Sequence, residues 1–192
     1  MRVHGDKKII RRTDIEKRPY TKYQTELRED FHKMCGYCGK SEAVSKNTFE
    51  PDHFIPKVLA PDRKDDYGNL VYSCFLCNRK KGKKWPSQDP KIPFVNGEGF
   101  ADPATPAYDD HLERNERGEI IAKTDIGRYM AEKVFGFHKR PMKEIWKAMQ
   151  LMEKKELLKK KWSTLPPDRK DDYILIDDLI KDLQDFLFVK KE

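Results

Sequence analysis

An α+β fold is predicted for this chain, and three features carry the prediction. Two CxxC pairs, Cys35-Gly36-Tyr37-Cys38 and Cys74-Phe75-Leu76-Cys77, enclose a segment with two short extended pieces, at 48–55 and 70–72. Helical periodicity precedes the first pair and recurs after residue 124. Between the enclosed segment and the later helices, residues 86–118 are rich in Pro, Gly, Asp and Asn and read as irregular chain that wraps the core.

Residues 1–18 are basic and unpatterned, and read as an extended arm. From Tyr20 the apolar positions Tyr23, Leu27, Phe31 and Met34 recur every three or four residues, which is one helix face running straight into Cys35. Pro19 stands at its start. Further on, Ser73 can cap a short helix over 74–81 that Gly82 can end. Thr124 is a cap for a helix over 124–135 whose inward face is Ile126, Tyr129, Met130 and Val134. Pro141 suits the first turn of the next helix, with Ile145, Trp146, Met149 and Met152 inward. After Pro166-Pro167 a last helix over 172–189 sets Ile176, Leu179, Ile180, Leu183, Phe186 and Leu187 against an acidic face of Asp177, Asp178, Asp182 and Asp185. The heptapeptide PDRKDDY occurs at 61–67 and again at 167–173. Nothing around the two copies repeats, so they read as two similar turn-and-cap segments. The expected organisation is a basic arm (1–18), a central domain (19–146, core 35–84) and a helical extension (147–192).

The net charge of +7 suits a polyanionic partner, either nucleic acid or an anionic membrane surface. No apolar run approaches the roughly 18–20 residues that span a bilayer. The opening MRVHGDKKIIRR lacks a signal peptide's apolar core. The expectation is therefore a cytoplasmic protein with reduced cysteines and no membrane partner.

All four cysteines of the chain lie in the two CxxC pairs. Spacing of two lets both sulfurs of a pair turn to one ion, so Cys35, Cys38, Cys74 and Cys77 can supply a tetrahedral zinc. Four thiolates leave no open position, which makes such a zinc structural. The rivals are weaker. Disulfides are disfavoured in a reducing compartment, and no thioredoxin-like βαβ pattern surrounds the pairs.

Between and just after the pairs stand Asp52, His53, Asn69 and Asn78. Asp52 and Asn78 offer hard oxygens, which suit Mg²⁺ or Mn²⁺. His53, not consumed by zinc, can act as general base near neutral pH. Asn69 can orient a neighbour. Adjacent residues of a strand point to opposite sides, so Asp52 and His53 can flank a phosphate. This set suggests metal-assisted phosphodiester hydrolysis. Taken singly, each residue also has a structural reading: a buried histidine, a turn asparagine, a helix-surface asparagine and a capping aspartate. Beside Asn78, Arg79, Lys80, Lys81, Lys83 and Lys84 form a basic cluster, and Lys57 follows the His53 strand. These would grip a phosphate backbone, a contact that needs charge rather than base reading.

The segments DHFIPK, YGNL and SCFLCNRKKG, framed by CGYCG, resemble the HNH or ββα-metal nuclease superfamily, in its branch with paired CxxC hooks. The resemblance implies a zinc-stabilised ββα-metal core surrounded by helices. It implies His53 as base, Asn69 positioning it, and one Mg²⁺ or Mn²⁺ on Asp52 and Asn78. Asn78 stands where name-giving members have histidine, making this an HNN variant. The usual Gly-Gly before the middle asparagine is replaced by LAPDRKDDYG. The resemblance also implies DNA cleavage to 5′-phosphate and 3′-hydroxyl ends. RNA as substrate, and a zinc-held module that binds nucleic acid without cutting, stay open as alternatives. A looser likeness, from RPYTKYQTELREDF through HLERNERGEII, is to small stand-alone HNH proteins, some of which act in bacterial anti-phage systems beside an ATPase. The cluster Lys154, Lys155, Lys159, Lys160 and Lys161 reads equally as a DNA track or a solvated helix face. The acidic last helix reads as a packing or partner-docking element before it reads as a nucleic-acid mimic.

Overall fold

The structure is a computed structural model that describes residues 1–45, 49–160, 164 and 166–188. Its centre is an antiparallel hairpin of β1 (Phe49–His53) and β2 (Leu70–Cys74), crossed by helix α2 (Phe75–Lys81). The register pairs Asp52 with Val71 and His53 with Leu70. Pro51 is tolerated in β1 because a two-stranded sheet is all edge. β2 continues through Cys74, which becomes the N-cap of α2 in place of the expected Ser73. Ser73 is still paired within the sheet, opposite Glu50. Gly82 closes α2 at φ +50°, where a side chain would be strained.

Helix α1 (Gln24–Asp30) is shorter than its periodicity suggests. Leu27, Phe31 and Met34 are buried as expected, but His32 and Lys33 adopt φ values of 53° and 59° and turn the chain out of the helix. The turn delivers Cys35 to a knuckle in which Cys35 N–H donates to Lys40 O (2.8 Å) and Gly39 N–H to Cys35 O (2.8 Å). Tertiary demand for the knuckle overrides the helical pattern.

The segment 1–18 forms no helix or strand; it turns at Gly5 (φ 65°), rather than running as an extended arm, and lies on the core. Val3, His4 and Ile9 are buried, and the Arg11 guanidinium donates to Leu70 O (2.7 Å) and to both Asp102 oxygens. Residues 86–118 are mostly irregular but include β3 (Phe94–Val95) and β4 (Glu98–Gly99), a hairpin over Asn96-Gly97, and helix α3 (Ala107–His111). β5 (Leu112–Arg114) then pairs with β6 (Ile120–Ala122). Thr124 caps α4 (Asp125–Arg128) through Gly127 N–H, and the run continues as a π-helix over Tyr129–Val134. Helix α5 (Met142–Lys160) buries Met142, Ile145 and Ala148, and passes unbroken through residue 146, where a boundary was expected. Helix α6 (Pro167–Phe188) packs on α5 and buries Ile176 and Ile180. Leu179, expected inward, is exposed. The side chains of Phe186 and Leu187, and residues Thr48, Lys161 and Val189, lie outside what is described.

Both PDRKDDY copies form the same short ion pair, Arg63 with Asp66 and Arg169 with Asp172, but the first sits in a loop and the second opens α6. Among the described residues no helix is long and apolar enough to cross a membrane.

Arg114 is a wholly buried cation with no carboxylate partner among the described residues. It donates to Val3 O (3.0 Å), Gly118 O (2.6 Å) and Cys38 O (2.9 Å), and its guanidinium lies 4.5 Å from the Trp146 ring. It ties the N-terminal segment, the cysteine knuckle and α5 together. Arg114→Met leaves these carbonyls without donors and is expected to cost about 3 kcal/mol, at 1–3 kcal/mol per orphaned buried group. For a chain of this size that lowers Tm by about 6–12 °C, which thermal denaturation would read.

Candidate active site and metal centre

Two sites share the β1–β2–α2 unit. At its outer end the knuckle 35–38 meets the β2–α2 junction, and all four cysteines are buried. Their sulfurs lie within 4.8 Å of one another, with Cys38 and Cys74 Sγ 3.9 Å apart. Thiolates held about 2.3 Å from a tetrahedral ion stand about 3.8 Å apart, so the cage has the size of a zinc site. The cysteines are free rather than bridged. The Arg140 guanidinium faces Cys77 Sγ (3.3 Å) and Cys38 Sγ (3.6 Å), where its charge offsets part of the negative charge of four thiolates. These residues fit a structural zinc.

At the other end, strand alternation turns Asp52 and His53 to opposite faces. His53, 8% exposed, packs against Tyr20 with ring centroids 4.7 Å apart. Its Nε2 lies 2.9 Å from Lys64 O. A carbonyl only accepts, so Nε2 carries the proton and Nδ1 keeps the lone pair. Burial lowers the His53 pKa below 6.5, against the opposing pull of the Lys64 carbonyl and Asp52, and favours the neutral ring.

Asn69 is fully buried, and its side-chain hydrogen bonds go to backbone groups rather than to the His53 ring. Its Oδ1 accepts from Ile55 N–H (2.8 Å), and its Nδ2 donates to Ile55 O (3.0 Å) and Arg63 O (3.4 Å). It therefore clamps the 56–68 loop to the end of β1, next to the Lys64 carbonyl that holds His53. Its link to the imidazole runs through backbone.

Asp52 is 7% exposed, and its Oδ2 accepts from Tyr37 Oη (2.7 Å) and lies 3.6 Å from Lys81 Nζ. Burial raises the Asp52 pKa, opposed by Lys81 and Tyr37. Burial likewise lowers that of Lys81, opposed by Asp52. Asn78 faces the same strand one step back, where its Nδ2 donates to Glu50 Oε2 (3.1 Å). Asp52 and Asn78 thus both line the β1–α2 interface, each with its own neighbour.

The HNH endonuclease family model matches residues 35–84, which spans both sites. These residues are an HNH endonuclease domain. Comparison with curated proteins and with solved structures gives no match. The HNH domain supports nuclease activity in general and implies a nucleic-acid substrate. HNH nucleases use divalent metals, and this donor set fits that chemistry. Asp52 and Asn78 each have an Oδ1 that takes no hydrogen bond from the described residues, and both are hard oxygens.

One basic residue of the HNH domain is placed differently from its expected role. Lys81 is 0% exposed, donates to His53 O (2.6 Å) and faces the Phe100 ring, so it cannot reach a phosphate backbone. It turns inward because α2 brings it over Asp52. Lys57, Arg79, Lys83 and Lys84 are exposed and Lys80 is partly exposed. Periodicity alone missed Tyr20, Tyr37 and Lys64. Tyr20 reads as the start of a helix face and Tyr37 as a spacer within the first CxxC pair, and Lys64 acts through its carbonyl, which no side-chain pattern reveals. Lys57 and Lys64 place their ammonium groups 5.6 and 5.9 Å from the Tyr20 ring, beside the base. Lys155, in the second basic cluster, is ion-paired with Asp177 of α6.

Proposed function

We propose that this chain is a metal-dependent endonuclease that hydrolyses DNA phosphodiester bonds, with His53 as general base. The observation that carries the reading is the 2.9 Å contact between His53 Nε2 and Lys64 O. The Nε2–H held there leaves Nδ1 as the proton acceptor. Nδ1 takes a proton from the water that attacks phosphorus. Asn69 keeps the loop, and so the ring, in place. Asp52 and Asn78 would hold one Mg²⁺ or Mn²⁺, which when bound offsets negative charge developing on the leaving oxygen and the non-bridging oxygens. Lys57, Arg79, Lys80, Lys83 and Lys84 supply positive charge for the backbone phosphates. Placement in an anti-phage system beside an ATPase is supported only by the resemblance of the flanking segments.

A second reading has its own observation. The Asp52 carboxylate already has Tyr37 and Lys81 as partners, which suits a module that binds nucleic acid without cutting. Incubating zinc-loaded protein with supercoiled plasmid, and in parallel with RNA, in Mg²⁺ or Mn²⁺ separates the readings. Plasmid nicking that stops with EDTA supports the DNA endonuclease. RNA cleavage alone makes it a ribonuclease, and binding without cutting favours the second reading.

The pH dependence follows from the ring. A histidine whose pKa is lowered is a free base at lower pH than usual. Cleavage is expected to rise with pH to a plateau, its midpoint below the ordinary 6.5, in kcat/KM profiles over roughly pH 5 to 8. A midpoint above that ordinary value would remove His53 from the role.

A further inference from the structure

Glu50 and Asp52 are two residues apart on β1 and project to the face that α2 covers. Asn78 and Lys81 are three apart on α2 and project back. The two pairs that result are Asp52 with Lys81 (3.6 Å) and Glu50 with Asn78 (3.1 Å). The second matters because an amide has two different ends. Only its oxygen can ligate a hard cation, and its nitrogen only donates. With the Glu50 carboxylate at Nδ2, the flipped amide would set carbonyl against carboxylate, which is repulsive. Glu50 therefore selects the orientation that turns Asn78 Oδ1 away from it. Among the described residues Glu50 makes no ion pair, and Asn78 Nδ2 is its hydrogen-bond partner.

We infer that Glu50 is a positioning residue that locks the side-chain amide of Asn78 with its oxygen presented to the catalytic cation. The inference rests on the reading that Asn78 is a ligand. Partners that orient metal ligands are worth about 10- to 100-fold in metal affinity. Glu50 acts as an acceptor, so its charge is dispensable and its oxygen is not.

The test is Mn²⁺ binding, read by electron paramagnetic resonance on full-length, zinc-loaded protein in a His53→Ala background, in which cleavage is expected to be strongly reduced. Zinc content and circular dichroism establish that each variant is folded. Glu50→Ala is expected to weaken Mn²⁺ binding by about 10-fold or more, and Glu50→Gln, which keeps an acceptor oxygen, to stay near the parent. An equal loss in both variants would make Glu50 a ligand or a source of charge and overturn the positioning role. Unchanged affinity in Glu50→Ala would also overturn it. Asn78→Ala in the same series tests the underlying reading: unchanged Mn²⁺ affinity there removes Asn78 as a ligand, and the role of Glu50 with it.

Discussion

His53→Ala is expected to lower nucleic-acid cleavage by about two to four orders of magnitude, the usual contribution of a positioned general base. Affinity for the substrate should stay close to that of the parent. The side chain makes its contacts with Tyr20 and Lys64 O, and neither is an exposed cation offered to the phosphates. An interaction made only in the transition state lowers kcat and kcat/KM together and leaves KM alone. The ring has other work, because it packs against Tyr20, whose ring the Lys57 and Lys64 ammonium groups also approach. The variant should therefore be checked for an unchanged melting profile. A folded His53→Ala protein that cuts like the parent would place the base elsewhere.

Removal of zinc is expected to unfold the HNH domain and abolish activity with it. The two halves of the 35–84 segment are joined at the knuckle and at the β2–α2 junction, where all four cysteines are buried. A structural zinc on four thiolates contributes about 10–16 kcal/mol of binding free energy, as much as or more than the roughly 5–15 kcal/mol net stability of a domain. The same cage supports the catalytic face. Cys74 ends β2 and Cys77 lies in α2, one residue before Asn78. Titration with a strong chelator should release one zinc per chain, with loss of helical circular dichroism and of cleavage at the same chelator concentration. Cys77→Ser should express as a poorly folded chain. Full activity and native circular dichroism without zinc would show that packing alone holds the core.

Much of this arrangement was legible locally. The CxxC spacing, the strand containing Asp52 and His53, the short helix ended by Gly82 and the Thr124 cap all follow from signals a few residues long. The Asn96-Gly97 hairpin had a clear local signal as well, an Asn-Gly turn following Phe94-Val95, although the composition of 86–118 suggested irregular chain. The end of α1 was not legible. Its apolar spacing continues through Met34, and only the need to form the knuckle bends the chain at His32 and Lys33. The N-terminal segment hid its buried Val3 and Ile9 among charges.

The site divides along the same line. Residue type and short spacing determine which groups bear the chemistry: four thiols for zinc, hard oxygens at Asp52 and Asn78, an imidazole at His53. Tertiary packing decides what each group meets. Lys81 is one of five cations in a short run, yet it alone is wholly buried, because the crossing of α2 over β1 places it above Asp52. Asn69 reaches His53 through a clamped loop, and Asn78 finds its partner in Glu50. Periodicity reports the face a side chain takes. What lies across from that face is set by the angle and register at which distant segments pack.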